Sequence, residues 1–160
     1  MLSNISIKGL LRADARHKLV SVKRAYYAVQ NVAGLFDDRW THVKDSSYDT
    51  GFGTKDASIS TYEYAKNTGE RLFVFWSHGR DMKFERPGDS FETRPAVFKC
   101  LGAPLKEPIW IDLFTGRVYE FPKENEIVPE KGGVRYLDVP VYDSPCVLTE
   151  RSAVEIDPCP

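Results

Sequence analysis

The sequence predicts a mainly β protein: an antiparallel β-sandwich of about eight strands preceded by one α-helix. Three observations carry that expectation. Aromatic residues reach 12%, with Tyr 8, Phe 9 and Trp 3, and Gly and Pro number 11 and 10, a mixture suited to strands joined by turns. Short alternating or wholly apolar segments recur between turn signals from Arg39 onward. No helical pattern separates those segments, which disfavours a parallel βαβ sheet. At 160 residues the chain is long enough for one domain with a proper core and short for a two-domain enzyme. It divides into an N-terminal segment with an amphipathic helix, residues 1–37, and a sandwich, residues 38–160.

The elements follow in order. Lys8 to Lys23 is rich in Arg and Lys without clear periodicity and reads as loop with at most a short strand. From Val22 to Phe36 the apolar residues Val22, Ala25, Tyr26, Val29, Val32, Ala33 and Phe36 fall at 3.6-residue spacing, a helix with Ser21 as its N-cap. Arg39 to Lys44 is a short strand. Asp45 to Asp56 is a loop of Gly, Asp and Ser. Ala57 to Lys66 alternates, with Tyr62 and Tyr64 on one face; a tight turn at Asn67-Thr68-Gly69-Glu70 leads into Leu72 to Trp76. That run is apolar on both faces and so reads as a central strand covered on both sides. His78 to Thr93 is long and charged. Further strands are expected at Ala96 to Leu101, Pro108 to Phe114, Arg117 to Phe121, Val134 to Val139 and Cys146 to Thr149. Thr115-Gly116 makes Ile109 to Phe121 a second hairpin.

Charge excludes several classes of partner. Lys plus Arg is 22 and Asp plus Glu is 23, so a net charge of −1 gives no footprint for nucleic acid or an acidic membrane. The densest apolar run, Leu72 to Trp76, is far below the ~20 residues a membrane span needs. Met1 to Leu11 lacks the basic start and continuous apolar run of a signal peptide. Cys100, Cys146 and Cys159 are far apart and only three histidines are present, so neither a zinc site nor a full disulfide framework is expected. No cofactor and no metal is expected.

Catalytic signatures are missing: no G-x-S-x-G, P-loop, G-x-G-x-x-G or H-E-x-x-H occurs. Glu63, Glu92, Glu107 and Asp112 read as solvated strand-face or turn residues. His78 beside Ser77 and Asp81 reads as a turn histidine, because neighbours along one chain rarely converge as a triad. The Asp45 to Asp56 loop lacks EF-hand spacing and reads as a polar turn. Trp40, Tyr48 and Phe52 are the candidates for stacking on sugar rings, with Tyr48 and Phe52 expected to be exposed; Trp76 and Trp110 read as core. The helix stripe Val22, Tyr26, Val29, Ala33 and Phe36 must be buried somewhere, against the sandwich, a second copy or another chain.

Four segments stand in a suggestive order. They are Val22-Lys23-Arg24-Ala25-Tyr26-Tyr27-Ala28-Val29-Gln30-Asn31-Val32, Arg71-Leu72-Phe73-Val74-Phe75-Trp76-Ser77, Trp110-Ile111-Asp112-Leu113-Phe114-Thr115-Gly116-Arg117-Val118-Tyr119, and Val139-Pro140-Val141-Tyr142-Asp143-Ser144-Pro145-Cys146-Val147-Leu148. The first resembles the last helix of the (β/α)8 barrel in retaining glycoside hydrolases of the large barrel clan; the others resemble strands of the sandwich that follows it. The resemblance implies a C-terminal piece of such a hydrolase, with both catalytic glutamates upstream of Met1 and no catalytic residue in this chain. It implies a non-catalytic accessory domain. A carbohydrate-binding module, or one part of a hydrolase completed by a separate barrel chain, are the alternatives. The expected partners are accordingly a second copy or a catalytic barrel through the N-terminal helix, and a carbohydrate.

Overall fold

The computed structural model describes residues 10–44, 48–51, 58–78, 93–100, 103–127 and 133–154. Its elements run β1 (Leu11–Ala13), β2 (Leu19–Val22), α1 (Arg24–Leu35), β3 (Trp40–His42), β4 (Tyr48–Gly51), β5 (Ser58–Lys66) and β6 (Arg71–His78). They continue β7 (Arg94–Cys100), β8 (Pro108–Asp112), β9 (Arg117–Glu120), β10 (Glu126–Ile127), β11 (Val134–Val141) and β12 (Cys146–Glu150). Pairing is antiparallel throughout the described residues. A six-stranded sheet has the order β3-β5-β6-β12-β8-β9, a four-stranded sheet the order β10-β11-β7-β4, and β1 pairs with β2 alone. The expected antiparallel sandwich is the observed architecture.

Side-chain alternation explains how the layers form. Along β6, Phe73 and Phe75 point to one face while Leu72 and Val74 point to the other, and all four are buried. The first face, joined by Cys146 and Leu148 of β12, meets Phe98 of β7 and Tyr136, Val139 and Val141 of β11 between the sheets. Ring contacts knit this layer: Phe98 lies 5.0 Å from Phe73 and 5.8 Å from Phe75 between centroids. The second face carries Ile109, Ile111 and Val147 and is roofed by Leu35 at the end of α1, with Phe36 and Trp40 at its border. Two apolar layers therefore sandwich β6, β12 and β8, which is why those strands read as nearly continuous apolar runs. The β5–β6 turn closes as expected, with Gly69 at φ +102° where a side chain would be strained.

Several expectations need correction. Ser21 is not the helix cap: it lies in β2, paired with Arg12, and the helix begins after Lys23, which makes no side-chain cap. The lead-in is a hairpin rather than loop, since Asp14 Oδ1 accepts from the Arg16 and Lys18 amides and pins a tight turn between β1 and β2. Tyr48 to Gly51, expected to be loop, forms β4 on the edge of the four-stranded sheet, where β7 supplies a register its own composition does not specify. The β8–β9 connection is four residues long, Leu113 to Gly116, because Asp112 pairs with Arg117.

The buried groups make stability depend on alkaline pH. Cys100 and Cys146 are free and buried. Burial pushes the Cys100 thiol up to about 12 and raises Cys146 as well. Burial also raises Tyr136 and Tyr142, the latter further because its hydroxyl donates to Asp112. A folded-state value above the unfolded one means that the folded chain holds its proton more tightly. The stability so contributed is complete below the ordinary thiol value of 9.0 and is lost as pH rises above it. Each thiol is expected to remove about 1.4 kcal/mol per pH unit beyond that point. Urea midpoints between pH 8 and pH 11 measure this, and a flat midpoint would contradict it.

Candidate functional site

The β8–β9 hairpin sets the geometry of a cleft at the open edge of the sandwich. Its register places Trp110 opposite Tyr119 and Asp112 opposite Arg117. Residues two apart on a strand share a face, so all four point toward the four-stranded sheet. β11 and the residues that follow it supply the far wall through Pro140 and Tyr142. The result is a cleft of about 480 Å³ lined by Thr93, Trp110, Asp112, Arg117, Tyr119, Glu120, Pro140 and Tyr142.

Each wall is held by its own hydrogen bonds. The Trp110 indole donates to the Pro140 carbonyl at 3.1 Å, which locks the ring across the two sheets. Asp112 Oδ1 accepts from the Phe114 amide at 2.9 Å, and its Oδ2 accepts from the Thr115 hydroxyl at 2.6 Å. The Tyr142 hydroxyl donates to the same carboxylate. Asp112 is thus engaged in shaping the turn. The Gly116 amide closes it on the Asp112 carbonyl at 2.7 Å, with Gly116 at φ +74°. A Cβ at Gly116 would stand 3.0 Å from the Asn31 amide group of α1. Asn31 in turn donates to the Leu113 carbonyl at 3.0 Å, so the helix is clamped to this hairpin turn by a polar side chain.

Tyr119 is 45% exposed, its centroid 5.3 Å from that of Trp110 with the planes at 50°. The Arg117 side chain makes no ion pair or hydrogen bond among the described residues. Glu120, which follows Tyr119 on β9 and is part of the same lining, accepts from Arg151 at 2.8 Å.

The residues singled out from sequence are placed differently. Trp40 is half-buried: its indole donates to the Leu35 carbonyl at 3.1 Å, and the Lys66 ammonium sits over its ring. Tyr48 packs on Phe73 and Phe98 with its hydroxyl donating to the Thr61 carbonyl, so it lines the main core instead of an exposed loop. Phe52 lies outside the described residues, as do Glu92, Asp81 and Cys159. Trp40 and Tyr48 belong to the two different apolar layers and form no common platform. Glu63, expected to be solvated, is buried against Arg71 between the sheets. Trp76 stacks on Tyr62 at 5.5 Å and is only partly buried. Trp110 is buried, yet it forms a wall of the cleft. The signal that finds the cleft is the pairing Asp112 with Arg117, which follows once the four-residue turn is recognised.

The helix stripe divides. Phe36 packs on Tyr64 and Trp40 at the outer core, and Val22 is half-buried at the end of β2. Tyr26, Val29 and Ala33 face outward, together with Val32. The inward side of α1 is Ala28, Asn31 and Leu35, of which only Leu35 is fully buried. Among the described residues no helix is long and apolar enough to cross a membrane, and no group of three or more His, Cys, Asp or Glu gathers as metal ligands. No protein family, no curated protein and no solved structure matches the chain.

Proposed function

We propose that the chain is a non-catalytic β-sandwich accessory domain of glycoside-hydrolase kind, whose N-terminal hairpin and helix dock on a second folded unit. One observation carries this reading. Leu11, Leu19, Val20, Tyr26, Tyr27, Val29 and Val32 are all exposed, between 38% and 59%, within one short stretch of the chain. Large apolar side chains left exposed so densely along one segment are what a docking segment presents. Burying each is worth about 1.5–3 kcal/mol, enough for a stable interface. The occupant that the order of motifs implies is the (β/α)8 barrel of such an enzyme, on the same polypeptide or a separate one. Asn31 of the helix segment bonds to Leu113 of the hairpin segment, which supports treating the two resembling segments as one unit.

Light scattering over a range of concentrations, with the Tyr26→Asp variant alongside, tests the docking face. The wild-type chain is expected to self-associate through it, and Tyr26→Asp to be a soluble monomer whose unfolding free energy changes by less than about 1 kcal/mol. A monomeric wild type whose Tyr26→Asp variant unfolds would overturn the reading, because the stripe would then be part of the chain's own core. Turnover of a glycoside by the chain alone, abolished by a single Glu→Gln change, would overturn its non-catalytic part.

A further inference from the structure

We propose that the cleft between β9 and β11 binds a saccharide unit bearing a carboxylate. Two features on one wall point to that ligand. Tyr119 presents an exposed ring face beside Trp110, and a flat apolar surface of this kind suits the C–H face of a pyranose. Two residues along the same strand face, Arg117 carries a guanidinium with no carboxylate partner among the described residues. Its planar fork matches a carboxylate through two parallel hydrogen bonds. The charged groups around it are otherwise committed: Asp112 to the turn and to Tyr142, Glu120 to Arg151. Among the described residues that line the cleft, an incoming anion therefore meets one cation, Arg117. The volume of about 480 Å³ lies within the range of small-ligand sites. The stacked pair Tyr62 and Trp76 offers aromatic surface as well, but Tyr62 is 43% exposed on an outer sheet face rather than in a cleft. Choosing a sugar over another flat acid rests on the proposed glycoside-hydrolase kinship.

Isothermal titration of the whole chain with digalacturonate, cellobiose and benzoate tests the assignment, with Arg117→Gln and Tyr119→Ala as variants. Both positions are exposed on an edge strand, and near-ultraviolet circular dichroism verifies that the variants remain folded. Digalacturonate is expected to bind, cellobiose at least tenfold more weakly, and each variant to lose about tenfold in affinity for the acid. Equal binding of digalacturonate and cellobiose with no effect of Arg117→Gln would overturn the acidic specificity. Binding of benzoate alone, or of none of the three, would overturn the saccharide site. Neither variant touches the helix stripe, so self-association should persist in both. A failure of the cleft is thereby distinguishable from a failure of the docking face.

Discussion

Truncating Phe98 to alanine is expected to lower the free energy of unfolding by about 3–5 kcal/mol. Phe98 is 2% exposed and stands where the two sheets meet. Its ring touches Tyr48 from β4, on its own sheet, and Phe73 and Phe75 from β6 across the interface. Interior side chains are close-packed, so the space left by a phenyl group does not collapse when three fixed rings surround it. The adjacent residue provides the internal control. Val97 occupies the same strand but the opposite face and is 44% exposed, so Val97→Ala should cost less than about 1 kcal/mol. Denaturant midpoints for the two variants decide the matter. Equal losses would mean that strand propensity, and not the inter-sheet layer, governs stability at β7.

The second large effect concerns charge. Glu63 sits on the inner face of β5 with its side chain 5% exposed; Nε of Arg71 donates to its Oε1 at 2.8 Å, and Nη2 stands 2.8 Å from the same oxygen in an ion pair. The two residues are diagonal neighbours across the β5–β6 hairpin, since Glu63 opposes Phe73 and Arg71 opposes Ala65. Arg71 also lies over the Phe73 ring at 4.9 Å. Arg71→Ala strands a buried carboxylate and should cost about 3 kcal/mol or more. The double variant Glu63→Leu with Arg71→Met should recover most of that loss, because two apolar side chains of similar volume leave no ion to desolvate. The loss on Arg71→Ala should persist in 1 M salt, where exposed pairs are screened. Recovery failing in the double variant would show that this pair stabilises more than its mutual attraction and packing explain.

Much of the sandwich was legible in the sequence because side-chain alternation and turn chemistry agree there. The run Leu72 to Trp76 is apolar at every position, and it proves central and covered on both faces. Gly69 and Gly116 mark turns at which a positive φ is required. What stayed hidden was decided by distant partners. Tyr48 to Gly51 has the composition of a turn, and only pairing with β7 makes it a strand. The inner face of β5 is polar, Thr61 and Glu63, so alternation on that strand points its tyrosines away from the main core. On α1 the apolar stripe correctly indicates a helix but not the side that meets the sheet. A single amide, Asn31, holds the inward side, and a polar residue carries no weight in a hydrophobic pattern. The cleft was missed for a related reason: its residues belong to a pairing register that the length of one turn determines.

The pairing of β6 with β12 has a kinetic meaning. Phe75 lies opposite Cys146 and Leu72 opposite Thr149, so the middle of the large sheet joins segments separated by roughly seventy residues. The β5–β6 and β8–β9 hairpins are local and close early, but each is then an unfinished half with an open edge. β12 is the strand that zips them together, and both apolar layers gain their closing residues in that one event. The entropy of closing so long a loop falls on this step, which makes it the natural barrier to folding. While the chain is being made, Leu72 to Phe75 must wait, unpaired on one side, for a segment that emerges much later. The protein is most exposed to edge-to-edge aggregation in that interval, before β12 arrives.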